Sequence, residues 1–230
     1  MELQILFEDE FLIAIHKPNG LLVHRTKIAI DAEEFALQIL RDQIGQRVFP
    51  THRLDRKTSG VLLFAKDEET NREMQMQFME QEVSKTYKSI VRGWTEDEGT
   101  IDYALTTDKG KVQDAITHYK TVDRTEIDLP NGKFSTARFS LVELTPETGR
   151  MHQLRKHLAH IFHPIIGDRP HGCNKQNKLF LEHFSMIEMM LHAENLRFKH
   201  PKTGEAILVQ SEIQGEFKRM LGELGFSKGS

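Results

Sequence analysis

The residues best suited to chemistry lie in two dense segments. The first, His52 to Lys66, reads HRLDRKTSGVLLFAK. Asp55 stands between Arg53 and Arg56, and Thr58, Ser59 and Gly60 follow as turn formers before an apolar strand. A carboxylate among cations ionises readily, which suits a nucleophile or a base. The alternative is an Asp that caps a turn and pairs with a neighbouring Arg. The second segment, Leu144 to Gly172, reads LTPETGRMHQLRKHLAHIFHPIIGDRPHG. Its Thr148-Gly149-Arg150 turn feeds a helix start, where free backbone N–H groups favour an anion such as phosphate. Arg150 and Arg155 add fixed positive charge. His152, His157, His160 and His163 raise the question of a metal, but no HExxH pattern is present and no acid accompanies them within the helix, so polar or core use is expected. A third segment, Lys85 to Gly93 (KTYKSIVRG), alternates like a strand and sets Tyr87 on one face with Ser89 and Val91. Tyr87 is either core or a flat platform for a base. Lys17-Pro18-Asn19-Gly20 reads as a turn first and a ligand loop second.

The chain as a whole excludes several settings. With 230 residues, 38% hydrophobic and 28% charged, it has the composition of an ordinary globular protein rather than a disordered or fibrous one. No stretch approaches the ~20 apolar residues of a bilayer helix. The N-terminus MELQILFEDEF carries acids in place of the basic n-region of a secretory signal, so a cytoplasmic protein is expected. The single cysteine, Cys173, has no partner for an internal disulfide.

Charge needs a local reading. The net of -3, from 31 basic and 34 acidic side chains, argues against nucleic acid if taken as a sum. Residues 50–66, however, hold Arg53, Arg56, Lys57 and Lys66 against Asp55 alone, a net of +3. Residues 150–202 hold nine Lys and Arg against four acids, a net of +5, together with eight of the twelve histidines. A basic face on a near-neutral chain is therefore expected.

These residues need elements to position them. Strand-like runs occur at 3–7, 11–15, 61–65, 86–91, 115–121, 134–144, 191–198 and 206–210. Helical spacing covers 32–44, 68–82 (with Asp67 as N-cap and Met74 stacked over Phe78), 150–161 before Pro164, and 212–223. Many strands, few helices and no steady βαβ alternation predict an α+β fold on a largely antiparallel sheet. No repeat or linker divides the chain, so one domain over 1–230 is expected.

Taken together, the segments resemble the pseudouridine synthases of the RluA type, whose signature H-R-L-D-x-x-T-S-G is matched by His52–Gly60. HKPNGLLVH at 16–24, KTYKSIVRG, TGRMHQLRKHL with HPIIGD, and LHAENLRFKHPKTGE at 191–205 are similar to further family elements, in the same order. Five ordered elements make a far more specific signal than one short motif.

The resemblance implies a curved, mixed, mainly antiparallel sheet with a central catalytic cleft flanked by helices, and an enzyme that isomerises uridine in RNA. It implies that Asp55 is the catalytic carboxylate, that Tyr87 stacks on the target uracil and that Arg155 is the basic partner of Asp55. Arg53 enters the RNA stack beside the displaced base, Leu191 lines the pocket, and His52 and Arg150 complete the expected substrate contacts. No cofactor, no metal, no S4-type RNA-binding module and a monomer acting on RNA are expected. Within the family the chain looks most like the members that modify uridine 65 of tRNA. The details are Val23-His24-Arg25, His171 where many relatives have tyrosine, Asn177, and EHFSMIEMMLHA at 182–193. His16, in place of the usual asparagine, and a short 105–115 linker depart from the pattern. The competing readings are a 23S rRNA synthase of the same family, a nucleoside or glycoside hydrolase, and an idle RNA-binding module. A hydrolase normally needs a second carboxylate, for which Asp168 is the candidate.

Overall fold

The computed structural model is described over residues 1–24, 34–130 and 134–227. Arg25 and the first residues of the expected 32–44 helix lie outside the described residues. In chain order the first elements are β1 (Ile5–Glu8), β2 (Leu12–Lys17), α1 (Ala36–Ile44), β3 (Phe49–Pro50), β4 (Ser59–Ala65) and α2 (Glu68–Met79). Next come β5 (Ser84–Arg92), β6 (Glu98–Asp102), β7 (Leu105–Thr106), β8 (Val112–Gln113), β9 (Ile116–Ile127) and β10 (Ala137–Pro146). The chain closes with α3 (Gln153–His160), α4 (Asn174–Phe184), β11 (Leu191–Lys199), β12 (Ala206–Gln210) and α5 (Gly215–Glu223). This is the α+β, mainly antiparallel class that the pattern predicts. Among the described residues no helix is long and apolar enough to cross a membrane.

The chain divides into two compact units, Met1–Lys85 with Ala193–Glu212, and Thr86–His192 with Ile213–Ser230. In the first, strands run in the order β1-β2-β4-β11-β12, with β3 beside β4. β2 is buried at every position and β4 at all but its first, which is why both read as continuous apolar runs rather than alternating ones. They pair antiparallel from Leu12 opposite Ala65 to Lys17 opposite Gly60. Leu12, Val61, Leu63, Met74, Leu196 and Phe198 form the core against one face of α2. As expected, Asp67 caps α2, accepting from the Thr70 N–H at 2.8 Å. Gly60 lies at φ +110°, and a Cβ there would run into the carbonyl oxygen of Ala193 on β11. The glycine that ends the HRLDRKTSG run thus permits a close strand approach just after the Asp55 turn.

In the second unit the order is β5-β10-β9-β6, each pair antiparallel, with β7 and β8 as a separate ribbon. One core, including Phe139, Phe180, Met190, Phe217 and Met220, carries α4 and α5. A second, with Val91, Val142, Leu144, Leu154, Leu158, Ile165 and Leu191, carries α3, and Tyr87 packs against it.

Several elements differ from expectation. Helix α3 starts at Gln153 rather than 150, because His152 sits in left-handed backbone at φ +57° while the Gln153 side chain reaches back to Thr148 Oγ1 and the Arg150 N–H. It ends at His160 before Pro164, as predicted. β9 continues to Ile127, β10 begins at Ala137 rather than 134, and β3, β6, β7, β8 and α4 add to the anticipated set.

Candidate active site

In the first unit the site is a pair of turns stitched together around Asp55. The Asp55 carbonyl accepts from the Thr58 N–H at 3.0 Å, closing the turn that Thr-Ser-Gly promises. Facing it is the Lys17-Pro18-Asn19-Gly20 turn. The Gly20 N–H donates to the Arg56 carbonyl at 2.9 Å, Arg56 Nε returns to the Gly20 carbonyl at 2.9 Å, and Asn19 Nδ2 donates to the Lys57 carbonyl. At the centre lies Lys17, fully buried. Its Nζ donates to the carbonyls of Pro18 at 2.9 Å, Leu21 at 2.8 Å and Arg56 at 3.0 Å. Burial pushes this ammonium down to about 7, against the pull of Asp55 and with the reinforcement of Arg56. Lys17 was legible only as part of a turn, because lysine is normally the most exposed of side chains.

His52 is drawn into the protein fabric. Its ring stacks on Phe78 at 4.8 Å between centroids, and Nε2 accepts from the Leu63 N–H at 3.1 Å. Burial, then the nearby Lys85 charge, hold the imidazole at about 3, so it is neutral across the physiological range. Arg53, by contrast, is exposed and Asp55 half-buried. Lys66, the lysine closing the motif, donates to Glu8 Oε1 at 2.7 Å and to the Asp9 carbonyl at 2.6 Å, bracing the β1–β2 turn.

In the second unit β5 presents Tyr87, half-buried, on the cluster that contains Leu191 and Leu154, and Arg155 follows Leu154 on α3. Two predicted residues, Tyr87 and Leu191, therefore share one apolar nucleus. Arg155 is buried and forked on Asp168, Nε to Oδ2 and Nη2 to Oδ1, both at 2.8 Å. With both oxygens of Asp168 on the guanidinium and the residue 1% exposed, this acid is spent on Arg155. That use counts against it as the second carboxylate of a hydrolase. Arg150 lies at the entrance to α3, its Nε on the Asp114 carbonyl at 3.0 Å.

The four histidines that raise the question of a metal, together with His171, serve protein contacts. His157 bonds Thr117 and the Tyr103 carbonyl, His160 stacks on Tyr103, His163 bonds the Arg92 carbonyl, and His152 Nδ1 meets His171 Nε2 at 2.9 Å. Among the described residues no three His, Cys, Asp or Glu side chains converge as a metal site. Sequence reasoning names Lys17, Asp168 and Asn177 but misses what they do: the inward bonds of Lys17, the fork of Asp168 on Arg155 and the clamp of Asn177 on the Asp168 turn.

The chain is similar to known proteins in both sequence and fold. The profile of a family described as RNA pseudouridylate synthase matches residues 11–160. The chain is 47% identical over 229 residues to tRNA pseudouridine synthase C of Vibrio vulnificus, covering 95% of this chain and 94% of that protein. It is 42% identical to the protein of the same name from Yersinia pestis, covering 98% and 92%. Among solved structures, human RNA pseudouridylate synthase domain containing 4 superposes with a TM-score of 0.76 at 24% identity, over 96% of this chain and 93% of that one, a likeness of fold. The chain belongs to the RNA pseudouridylate synthase family. It is accordingly an isomerase that converts uridine in RNA to pseudouridine.

Proposed function

We propose that the substrate is tRNA, that the target is the uridine at position 65, and that Asp55 is the catalytic carboxylate. The observation that carries the substrate class is the near full-length identity to proteins named tRNA pseudouridine synthase C, supported by the net +5 of residues 150–202. The family match at 11–160 draws residues from both compact units, which supports reading the chain as one catalytic domain. A cytoplasmic, monomeric enzyme completes the proposal, tRNA being a cytoplasmic substrate.

The reaction conserves every atom of the nucleoside except for one proton exchange. The N1–C1′ bond breaks, the uracil turns, C5 bonds to C1′, the C5 proton leaves and N1 gains a proton. Asp55 can attack C1′, add to the ring or remove a ribose proton; each route needs it ionised. Extruding the base costs a few kcal/mol, offset by insertion of the exposed Arg53 and by stacking on Tyr87, worth ~1–3 kcal/mol. Leu191 supplies the apolar wall beside Tyr87. Arg155, its guanidinium held by Asp168, is assigned as the basic group of the reaction, and Arg150 holds backbone phosphate. His52, bonded within the first unit, contributes by holding the Asp55 segment. Mapping pseudouridine in RNA from cells with and without the protein tests the substrate: loss confined to tRNA position 65 supports it, and loss in 23S rRNA transfers the activity to rRNA.

A further inference from the structure

Building on the assignment of Arg155 above, we infer that Asn177 and Asp168 are positioning residues for its guanidinium, a relay that begins on helix α4. Asn177 uses both ends of its side-chain amide on one turn. Its Oδ1 accepts from the Gly167 N–H at 2.9 Å, and its Nδ2 donates to the Asp168 carbonyl at 2.7 Å. One donor and one acceptor as partners fix the orientation of the amide. The turn so clamped leaves no room for adjustment: Gly167 lies at φ +81°, and a Cβ there would run into the Glu188 carbonyl oxygen.

The same turn is fastened from its other side. The Ile166 N–H donates to the Ile90 carbonyl at 3.0 Å, and the Met190 N–H to the Ile166 carbonyl at 2.9 Å, so the segment leading to Asp168 is registered against β5, the strand that bears Tyr87. Asp168 then meets Arg155 in a two-pronged fork that fixes the plane of the guanidinium. Fixing that plane also fixes the direction of Nη1, the nitrogen the fork does not use. Mere neutralisation of a buried charge would be met by one contact in any orientation. Here the carboxylate, its own carbonyl and the preceding N–H are all held, and the result is a guanidinium held in one plane. Helix α4 packs through Phe180, with Leu179 and Phe184 partly buried against the same core. Asn177 gives its first turn a role in the site beyond packing.

The test is a double-mutant cycle on single-turnover isomerisation of C5-tritiated tRNA, with tRNA affinity measured alongside. Asp168→Asn keeps the shape and loses the charge; Asn177→Ser removes the clamp while leaving the Arg155–Asp168 pair intact, so it carries the cycle if the first variant does not fold. Displacing a positioned group by an ångström lowers rate by up to ~100-fold, so the expected losses are about 10- to 100-fold for Asp168→Asn and about 3- to 10-fold for Asn177→Ser, with affinity within about twofold of wild type. In an Arg155→Lys background neither substitution should lower the rate further, since both act through Arg155. Additive losses in that background, or an unchanged rate in Asn177→Ser, overturn the relay. A full rate in Arg155→Lys alone overturns instead the assignment of Arg155 on which the relay is built.

Discussion

Replacing Lys17 by Met removes the ammonium that joins the KPNG turn to the Asp55 turn, and the consequence is a change in how stability depends on pH. The side chain is fully buried, and its proton affinity falls from the ordinary 10.5 to about 7. A lysine depressed in the folded state binds a proton in the unfolded chain throughout the interval between these values, while the folded chain does not. Stability therefore rises with pH between about 7 and 10.5 and falls as pH drops back across that interval, levelling off below 7, where both states carry the proton. Integrating the two titrations from pH 7 to pH 9, at ~1.4 kcal/mol per tenfold change in proton affinity, gives a gain of about 2 kcal/mol that only the wild type has. Urea denaturation of both proteins at pH 7 and pH 9 isolates this term, since every other group titrates alike in the two. The difference in unfolding free energy should move in favour of wild type by about 2 kcal/mol on going to pH 9. Parallel pH dependences would refute the buried-ammonium reading. The isomerisation rate of the variant should also drop, because three carbonyls of the two turns lose their common donor.

Gly60→Ala should destabilise the protein by about 2 to 5 kcal/mol, from left-handed backbone strain and collision with the Ala193 carbonyl; a cost under half a kcal/mol by denaturant titration would contradict that close approach. Tyr87→Ala should lower kcat/KM for tRNA by about 5- to 150-fold, the equivalent of a lost stacking contact of ~1–3 kcal/mol, whereas Tyr87→Phe should keep most of it. Equal losses in both would assign the effect to the hydroxyl instead of the ring. If Arg53, Arg150 and Lys156 each neutralise a phosphate, three contacts predict that affinity for tRNA falls about 20- to 40-fold between 50 and 200 mM salt. A flat response in filter binding would move the docking surface elsewhere.

The elements most legible in the sequence were those whose burial is uniform. β2 and β4 announce themselves as apolar runs because both faces are covered, and the Asp67 cap of α2 is written in its side chain. α4 escaped notice because its N-cap, Cys173, makes no side-chain cap bond and its sequence NKQNKLFLEHF buries little beyond Gln176 and Phe180. β6 is an edge strand of five residues with Ile101 alone buried, too little pattern to register. The chemistry-bearing residues were legible through their motifs, but their partners were not. Arg155 and Asp168 stand thirteen residues apart, and their fork exists only because a helix and a clamped turn meet. Likewise nothing in the KPNG letters states that the lysine points inward to hold three carbonyls. Local pattern carries burial and caps; which buried charges meet is set by tertiary packing.

The central claim, that Asp55 performs isomerisation of uridine in tRNA, is tested most directly by tritium release from C5-labelled uridine in a tRNA transcript, comparing wild type with Asp55→Asn. The claim predicts stoichiometric release and pseudouridine at position 65 with the wild type, and no release above background with Asp55→Asn although tRNA is still bound. Full release by Asp55→Asn would contradict it.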